Sequence, residues 1–255
     1  MSLGKLVTLV PLMGGDAADI ALPTENLLAL WYAGNGSKDH ASISGGDGNP
    51  VTAWADSGSN GYDLTQATEA AQPTYHRKLA AFNNRGAVEF DGDDYLQRTI
   101  AAGIAANEAV CTILIVGITN GGAQYLYNEG YSVTSTPRVN FHTEAAGSLR
   151  YQHTDDSGLA MTRDGAITTG EKIMLVGRRA DATSFYLRVN GVQGALTTKA
   201  IGTTTIDILA LGALAVTTLR AGFLIGHLAV VAVYGADNFA TIEPIAADFY
   251  GITLP

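Results

Sequence analysis

Four of the six residues from Glu89 to Asp94 are acidic, in the order Glu-Phe-Asp-Gly-Asp-Asp. Strand side chains alternate between faces, so Glu89, Asp91 and Asp93 would point the same way on a strand. Two carboxylates about 5–5.5 Å apart can serve as the acid and the nucleophile of a retaining glycoside hydrolase. Gly92 instead favours a tight turn between two strands. We interpret the segment as such a turn and expect no catalysis there.

The same turn offers the ligands that calcium prefers. Asp91, Asp93 and Asp94 supply carboxylate oxygens, and Ca²⁺ binds about 6–8 oxygen atoms. These three residues are therefore a candidate calcium site, with a solvated acidic turn as the alternative. We expect no other cofactor.

Histidine and cysteine are dispersed along the chain. No two histidines have the His-x-x-x-His spacing, so the sequence gives little support to a zinc site. Cys111, the only cysteine, lies in an apolar run and is expected to be a small buried hydrophobe. We expect histidines on strands to be exposed. The five histidines are His40, His76, His142, His153 and His227.

Aromatic and basic side chains on the predicted strands could bind a sugar. Tyr127, Tyr151 and Tyr186 could stack on a sugar ring, and Arg150 could donate hydrogen bonds to it. Tyrosine is also a common strand residue that covers the edge of a core. Both interpretations remain open at this point.

Charge and hydropathy exclude some partners. The 255 residues carry a net charge of −9, from 15 basic and 24 acidic side chains. This field opposes nucleic acids and anionic membranes. No apolar run approaches the roughly 18 residues of a membrane-spanning helix. We therefore expect neither nucleic-acid binding nor membrane insertion.

Short alternating segments between turn residues predict an all-β fold. Phe185 to Val189 alternates in polarity, and Asn190-Gly191 then supplies the residues of a type I′ hairpin turn. The segments 138–142 and 149–153 alternate in the same way and predict a second hairpin. Trp54 and Phe90 lie in apolar strand patterns and are expected in the core. The chain therefore predicts an antiparallel two-sheet sandwich.

The only helical spacing lies near the C-terminus. Apolar residues recur every three or four positions over 239–250. Asp237 or Asn238 could cap this helix, although Pro244 fits the first turn best if Thr241 is the cap. Gly251 is expected to end it.

The chain is divided into an arm, residues 1–24, and one domain, residues 25–255. The arm contains more apolar side chains than a free tail would leave in water. One interpretation is that it attaches the domain to a partner chain. The other is that Lys5 to Leu12 forms the first strand of the domain's own sandwich. The proposed contact residues are Leu6, Val7, Leu9 and Val10.

An ordered set of motifs runs through residues 25–255, and its order resembles the concanavalin A-like lectin/glucanase superfamily. Within that superfamily it is most similar to the laminin-G-like jelly-roll domains found in bacteriophage structural proteins. The resemblance implies a jelly-roll sandwich. The most specific motifs are Asn49-Pro-Val-Thr-Ala-Trp-Ala-Asp-Ser-Gly58, Ala87-Val-Glu-Phe-Asp-Gly-Asp-Asp-Tyr-Leu96, Phe185-Tyr-Leu-Arg-Val-Asn-Gly191 and Gly226-His-Leu-Ala-Val-Val-Ala-Val-Tyr234.

The resemblance also implies a setting. It favours a non-enzymatic virion protein, in the head decoration or the tail, that assembles with other virion proteins or with copies of itself. The alternative is a carbohydrate-binding module for host-surface glycans, on a virion, on a bacterial surface or secreted. A glycan hydrolase using Glu89 and Asp91 is the third reading. The glucanase signature Glu-x-Asp-x-x-Glu is nearly matched, but Asp94 occupies its sixth position, so we expect no enzyme.

Deletion of residues 1–13 separates the two interpretations of the arm. If the arm is an anchor, the truncated chain stays folded but no longer enters the oligomer or particle. Circular dichroism and size-exclusion chromatography measure the two properties. A truncated chain that unfolds as a monomer would place the segment in the core.

Overall fold

The computed structural model describes residues 19–145, 147–158, 160–214 and 222–255. The predicted strand Lys5 to Leu12 and the proposed contact residues Leu6, Val7, Leu9 and Val10 lie outside the described residues. Ile20 and Leu22, assigned to the arm above, are buried against the domain. Packing of the domain therefore begins before residue 25.

Strands dominate the described part of the chain, with two short 3₁₀ turns and one α-helix. The 3₁₀ turns are Glu69–Ala71 and Ala80–Phe82, and the helix is α1 (Phe239–Tyr250). In chain order the strands are β1 (Leu27–Tyr32), β2 (Ala53–Trp54), β3 (Leu64–Thr65), β4 (Thr74–Leu79), β5 (Arg85–Asp91), β6 (Leu96–Thr99), β7 (Cys111–Thr119), β8 (Gln124–Tyr131), β9 (Thr134–Ala145), β10 (Ser148–Thr154), β11 (Ala160–Ala166), β12 (Lys172–Arg179), β13 (Ser184–Val189), β14 (Val192–Gln193), β15 (Thr197–Thr198), β16 (Ile208–Leu211) and β17 (Ile225–Tyr234).

The strands form two antiparallel sheets, which confirms the predicted jelly-roll sandwich. One sheet has nine strands, seven of them in the order β14-β13-β12-β7-β17-β5-β4. In addition, β1 pairs with β17, and β15 pairs with β13. The other sheet has eight strands in the order β11-β10-β9-β8-β16-β6-β3-β2.

Strand β17 pairs with three other strands of the nine-stranded sheet. One side of β17 pairs with β7 along most of its length. The other side pairs first with β5, through residues 225–228, and then with β1, through residues 230–234. Two short strands that lie far apart in the sequence therefore share one edge of β17.

The main core lies between the two sheets. Trp54 and Phe90 are buried there, as the sequence predicts. Phe141 and Tyr151, on neighbouring strands of the eight-stranded sheet, stack with ring centroids 4.7 Å apart. Gly177 on β12 of the opposite sheet faces this stack, so the sheets approach closely at this point.

Helix α1 covers the other face of the nine-stranded sheet, where its buried residues Ile242, Ala246 and Tyr250 belong to a second apolar cluster. The predicted bounds are confirmed, and Gly251 ends the helix with φ +64°. The expectation that Thr241 caps it is wrong, because the helix starts at Phe239 and accommodates Pro244 in its second turn. In the described ranges, no helix is both long and apolar enough to span a membrane.

The predicted hairpins are present. Asn190 and Gly191 have φ +48° and +80° and join β13 to β14, as a type I′ turn requires. Strands β9 and β10 pair over 138–145 and 148–154. The turn at Gly92 is also present, but it differs from a hairpin because β5 and β6 belong to different sheets. This turn therefore carries the chain from one sheet to the other.

Residue 177 is a position where the sandwich interior has no room for a side chain. A Cβ atom there would lie 2.9 Å from ring atoms of Tyr151 and closer still to Phe141. Overpacking a core costs about 1–3 kcal/mol. We therefore expect Gly177→Ala to lower the free energy of unfolding by about 1–3 kcal/mol, measured by urea denaturation.

Val192→Ala is the control for this substitution, because Val192 is an exposed apolar residue on β14. We expect it to change the free energy of unfolding by less than about 0.5 kcal/mol. A Gly177→Ala protein as stable as the wild type would contradict the close approach of the two sheets.

Candidate functional site

The acidic turn after β5 brings the three predicted calcium ligands together. One carboxylate oxygen each from Asp91, Asp93 and Asp94 lies within 4.8 Å of the other two. Asp94 is buried, and its Oδ2 accepts a hydrogen bond of 3.0 Å from the backbone N–H of Asp91. Calcium needs further oxygen ligands, so calcium binding at this turn stays a prediction.

The pKa values of two carboxyl groups in this turn are raised. Burial raises the pKa of Asp94 to about 7, and the charges of Asp91 and Asp93 act in the same direction. A hydrogen bond with Asp91 raises the pKa of Asp93. Near neutral pH the turn therefore carries less negative charge than its composition indicates.

The predicted sugar-binding role of Tyr127 and Tyr151 is wrong. Both side chains are fully buried between the sheets. The hydroxyl of Tyr127 donates to Glu129, and that of Tyr151 lies 2.8 Å from Nε2 of His153. The rings are therefore part of the core.

Tyr186 and Arg150 are partly exposed, but they belong to different sheets. Tyr186 lies on β13, with the Arg178 guanidinium 4.8 Å from its ring centroid. Arg150 lies on β10 and pairs with Glu144. The four residues predicted to bind a sugar therefore do not form one site.

Glu129 is a fully buried carboxyl group that the sequence analysis missed. It accepts hydrogen bonds from the backbone N–H groups of Ala105 at 2.7 Å and Ala106 at 3.2 Å. Burial raises the pKa of Glu129, while these donors and Tyr127 act against burial. The carboxyl group ties the loop after β6 to the interior of the eight-stranded sheet.

Two nucleophilic or basic groups in the interior are inert. Cys111 is buried, as predicted, and burial raises the pKa of its thiol to about 12. His153 was expected to be exposed, but it is buried, and burial together with the charge of Arg179 lowers its pKa to about 3. The Cys111 thiol and the His153 ring are therefore neutral at neutral pH.

A polar patch covers the outer face of strands β8, β9 and β10. Because Val139, Phe141 and Tyr151 point into the core, their neighbours along each strand point outward. Asn128 and Asn140 are opposite each other across β8 and β9. The patch consists of Tyr125, Asn128, Arg138, Asn140, His142, Glu144, Arg150, Gln152 and Thr154.

Hydrogen bonds and stacking connect the residues of the polar patch. Nδ1 of His142 lies 2.8 Å from Oδ1 of Asn140, and since an amide oxygen only accepts, the ring is the donor. Nε2 of His142 lies 3.3 Å from Oε1 of Glu144, and with Nδ1 as the donor to Asn140 it donates to this carboxylate only when the ring is protonated. The ring of Tyr125 stacks on His142 with centroids 5.0 Å apart. His142 was expected to be exposed but lies in the floor of the patch and is buried.

The floor of the polar patch contains polar atoms without partners. Nδ2 of Asn140 and Oγ1 of Thr154 are buried and make no hydrogen bond among the described residues. Tyr125, Arg138 and Arg150, at the rim, are half-buried. Burial lowers the pKa of His142, while Glu144 opposes this shift. The patch therefore combines unpaired amide and hydroxyl groups with a neighbouring aromatic ring and two guanidinium groups.

The signal for the polar patch was present in the alternation of residues 138–142 and 149–153. The inward positions of these strands hold aromatic residues such as Tyr151, whereas the outward positions hold Asn140, His142 and Gln152. The alternation alone does not tell which face of a strand is covered.

The pKa of Asp94 predicts a pH dependence of stability. Because the pKa is about 7 in the folded chain and ordinarily 3.8, the folded chain binds this proton more tightly. Stability from this group is complete below pH 4 and is lost as the pH rises towards 7. We expect Asp94→Asn to abolish that loss, so that its stability relative to the wild type rises between pH 4 and pH 7.

Thermal denaturation at several pH values, in the presence of a chelator, measures this effect. Glu69→Gln, at an exposed position, is the control and should follow the wild type. If the difference between Asp94→Asn and the wild type did not change with pH, Asp94 would titrate normally.

No protein-family model matches the chain, and no curated protein matches its sequence. Among solved structures, the Trypanosoma rangeli sialidase in complex with sialic acid has a TM-score of 0.59 at 15% identity. The match covers 91% of this chain and 34% of the sialidase. The same sialidase in complex with 2,3-difluorosialic acid has a TM-score of 0.58 at 14% identity, over 91% of this chain and 33% of that one.

A carbohydrate-binding domain is also similar. The CBM40 of the Ruminococcus gnavus IT-sialidase, bound to alpha2,3 sialyllactose, has a TM-score of 0.49 at 15% identity. That match covers 63% of this chain and 97% of the domain. This chain spans about a third of the length of the T. rangeli sialidase. At these identities the likeness is one of fold, a two-sheet jelly-roll sandwich.

Proposed function

We propose that this chain is a non-catalytic carbohydrate-binding domain whose glycan site is the polar patch on β8, β9 and β10. The observation that carries the proposal is the buried, unpartnered Nδ2 of Asn140 beside the stacked rings of Tyr125 and His142. An amide donor next to an aromatic ring fits a sugar, which has hydroxyl groups at its edge and C–H groups on its face.

The arrangement of the polar patch supports a hydroxyl-rich ligand. Asn140, Gln152 and Thr154 offer both donors and acceptors. A buried polar atom without a partner lowers stability, so a ligand hydroxyl that pairs with Nδ2 of Asn140 gains that energy. Arg138 and Arg150, partly exposed at the rim, would move aside and donate to the ligand's outer oxygens.

The solved structures support the proposal only through the fold. Lectin-like sandwiches carry many unrelated functions, so the argument depends on the patch. The T. rangeli sialidase was solved in complex with sialic acid. This makes sialylated oligosaccharides a reasonable first class of probe, together with neutral ones.

Three observations support a role without catalysis. The Glu89 carboxylate lies 2.6 Å from His76, which occupies the group that a hydrolase would use. The Cys111 thiol and the His153 ring are buried and neutral near pH 7. The polar patch contains Glu144, which pairs with Arg150. Hydrolysis of a bound glycan is therefore not expected.

Substitutions in the polar patch test the proposal. Asn140→Leu keeps the size of the side chain and removes the donor, while Tyr125→Ala removes the stacking ring. We expect each to weaken binding of the best ligand from a glycan array by about tenfold or more, equivalent to about 1.4 kcal/mol. Isothermal titration calorimetry measures the affinity, and circular dichroism reports the fold.

Glu89→Gln, on the outer face of the other sheet, is the matched control. It should leave glycan binding unchanged. A wild-type chain that binds no glycan on the array, or an Asn140→Leu variant with wild-type affinity, would refute the proposal. Release of reducing sugar by the wild type that is lost in Glu89→Gln would instead identify a hydrolase.

Incorporation into a bacteriophage virion stays a prediction based on the sequence resemblance, and so does a virion, cell-surface or secreted location. A carbohydrate-binding domain carried on a virion would agree with both hypotheses, the virion protein and the carbohydrate-binding module. The proposal for the polar patch does not depend on which of them holds.

A further inference from the structure

Three potential metal ligands from three adjacent strands meet on the outer face of the nine-stranded sheet. His76 lies on β4, Glu89 on β5 and His227 on β17. Glu89 and His227 are directly opposite each other across β5 and β17. One ligand atom from each of the three residues lies within 4.8 Å of the other two. The expectation that the histidines are dispersed is therefore wrong for two of them.

The observed distances between the three side chains are close to those that a metal site needs. Nε2 of His76 lies 2.6 Å from Oε2 of Glu89, and the rings of His76 and His227 have centroids 6.1 Å apart. Zinc binds imidazole nitrogen and carboxylate oxygen at about 2.0–2.2 Å, so ligands on one ion lie about 3.3–3.5 Å apart. The three ligand atoms, all within 4.8 Å of one another, therefore need only small side-chain movements to reach one ion.

The environment of His227 favours metal binding over a simple ion pair. Its Nδ1 is buried and makes no hydrogen bond among the described residues. The His76–Glu89 pair does not give this nitrogen a partner. A rotation of the His227 side chain onto a metal ion would change the environment of the nitrogen. An imidazole nitrogen is the commonest protein ligand for metal ions of this class.

We propose that His76, Glu89 and His227 form a binding site for a divalent transition-metal ion of the zinc class. Two histidines and a glutamate leave one position of a tetrahedral ion open. Solvent reaches that position, because the side chains of His76 and Glu89 are 29% and 42% exposed. The ion would join the edge strand β4 to its two neighbours in the sheet. This site is separate from the polar patch.

Binding of the metal alone tests the site. The untagged protein is stripped with a chelator and titrated with Zn²⁺ by calorimetry and with Co²⁺ by visible absorption. We expect one ion per chain and the strong absorption of tetrahedral cobalt. At a hundred times the dissociation constant, the ion should raise the melting temperature by about 5–10 °C.

Variants that remove one ligand each identify the residues. His76→Gln and His227→Gln should each weaken binding at least about 100-fold, because losing even an outer-shell partner of a metal ligand costs about 10–100-fold. His40→Gln removes a histidine outside the cluster, and Asp93→Asn alters the nearby acidic turn. Both controls should keep the wild-type affinity. Using two single-ligand variants keeps the test decisive if one of them fails to fold.

Three outcomes would overturn the proposal. The first is no binding of either ion at micromolar concentrations. The second is unchanged affinity in folded His76→Gln and His227→Gln variants. The third is loss of binding in Asp93→Asn with both histidine variants unaffected, which would place the ion in the acidic turn. None of these results would bear on glycan binding, which is measured separately.

Discussion

The contact between the Phe141–Tyr151 stack and Gly177 determines which side chains of β9 and β10 point into the core and which point outward. Once these rings occupy the interior, the side chains next to them along each strand must point to the opposite face, because side chains alternate with a period of two. Asn140, His142 and Gln152 must point outward. The polar patch is thus a consequence of core packing, and a shift of one residue in β9 would exchange its polar floor for aromatic rings.

The interior itself is not purely apolar, and Glu129 shows how this is tolerated. A buried carboxyl group is costly unless donors surround it. Here the donors come from Tyr127, two residues earlier on the same strand, and from the loop after β6. The group therefore helps to fix the position of that loop against the eight-stranded sheet. It also explains why Tyr127 faces inward, although a tyrosine on a strand is compatible with either face.

Features encoded by neighbouring residues were predictable from the sequence. The Asn190-Gly191 turn, the hairpin of β9 and β10, and helix α1 depend on residues within one or two turns of each other. The outward or inward direction of Tyr127 was not predictable, because register shifts in β8 lie between Tyr125 and Tyr127. Such irregularities reverse the alternation without a clear sequence signal. His76 and His227 are neighbours only because β17 inserts between β5 and β7, a relation that no local pattern records.

Strand β17 also has a consequence for how the chain reaches its native state. Strands β1, β5 and β7 all precede β17 in the sequence, yet each of them pairs with β17 along one edge. Until residues 225–234 are available, these three strands present open edges that can pair with other chains. Pairing over such sequence separations is slow, because loop-closure entropy is lost before any contact forms. The assembly of this sheet therefore waits for β17, and during synthesis the edges of β1, β5 and β7 stay open until residues 225–234 have been made.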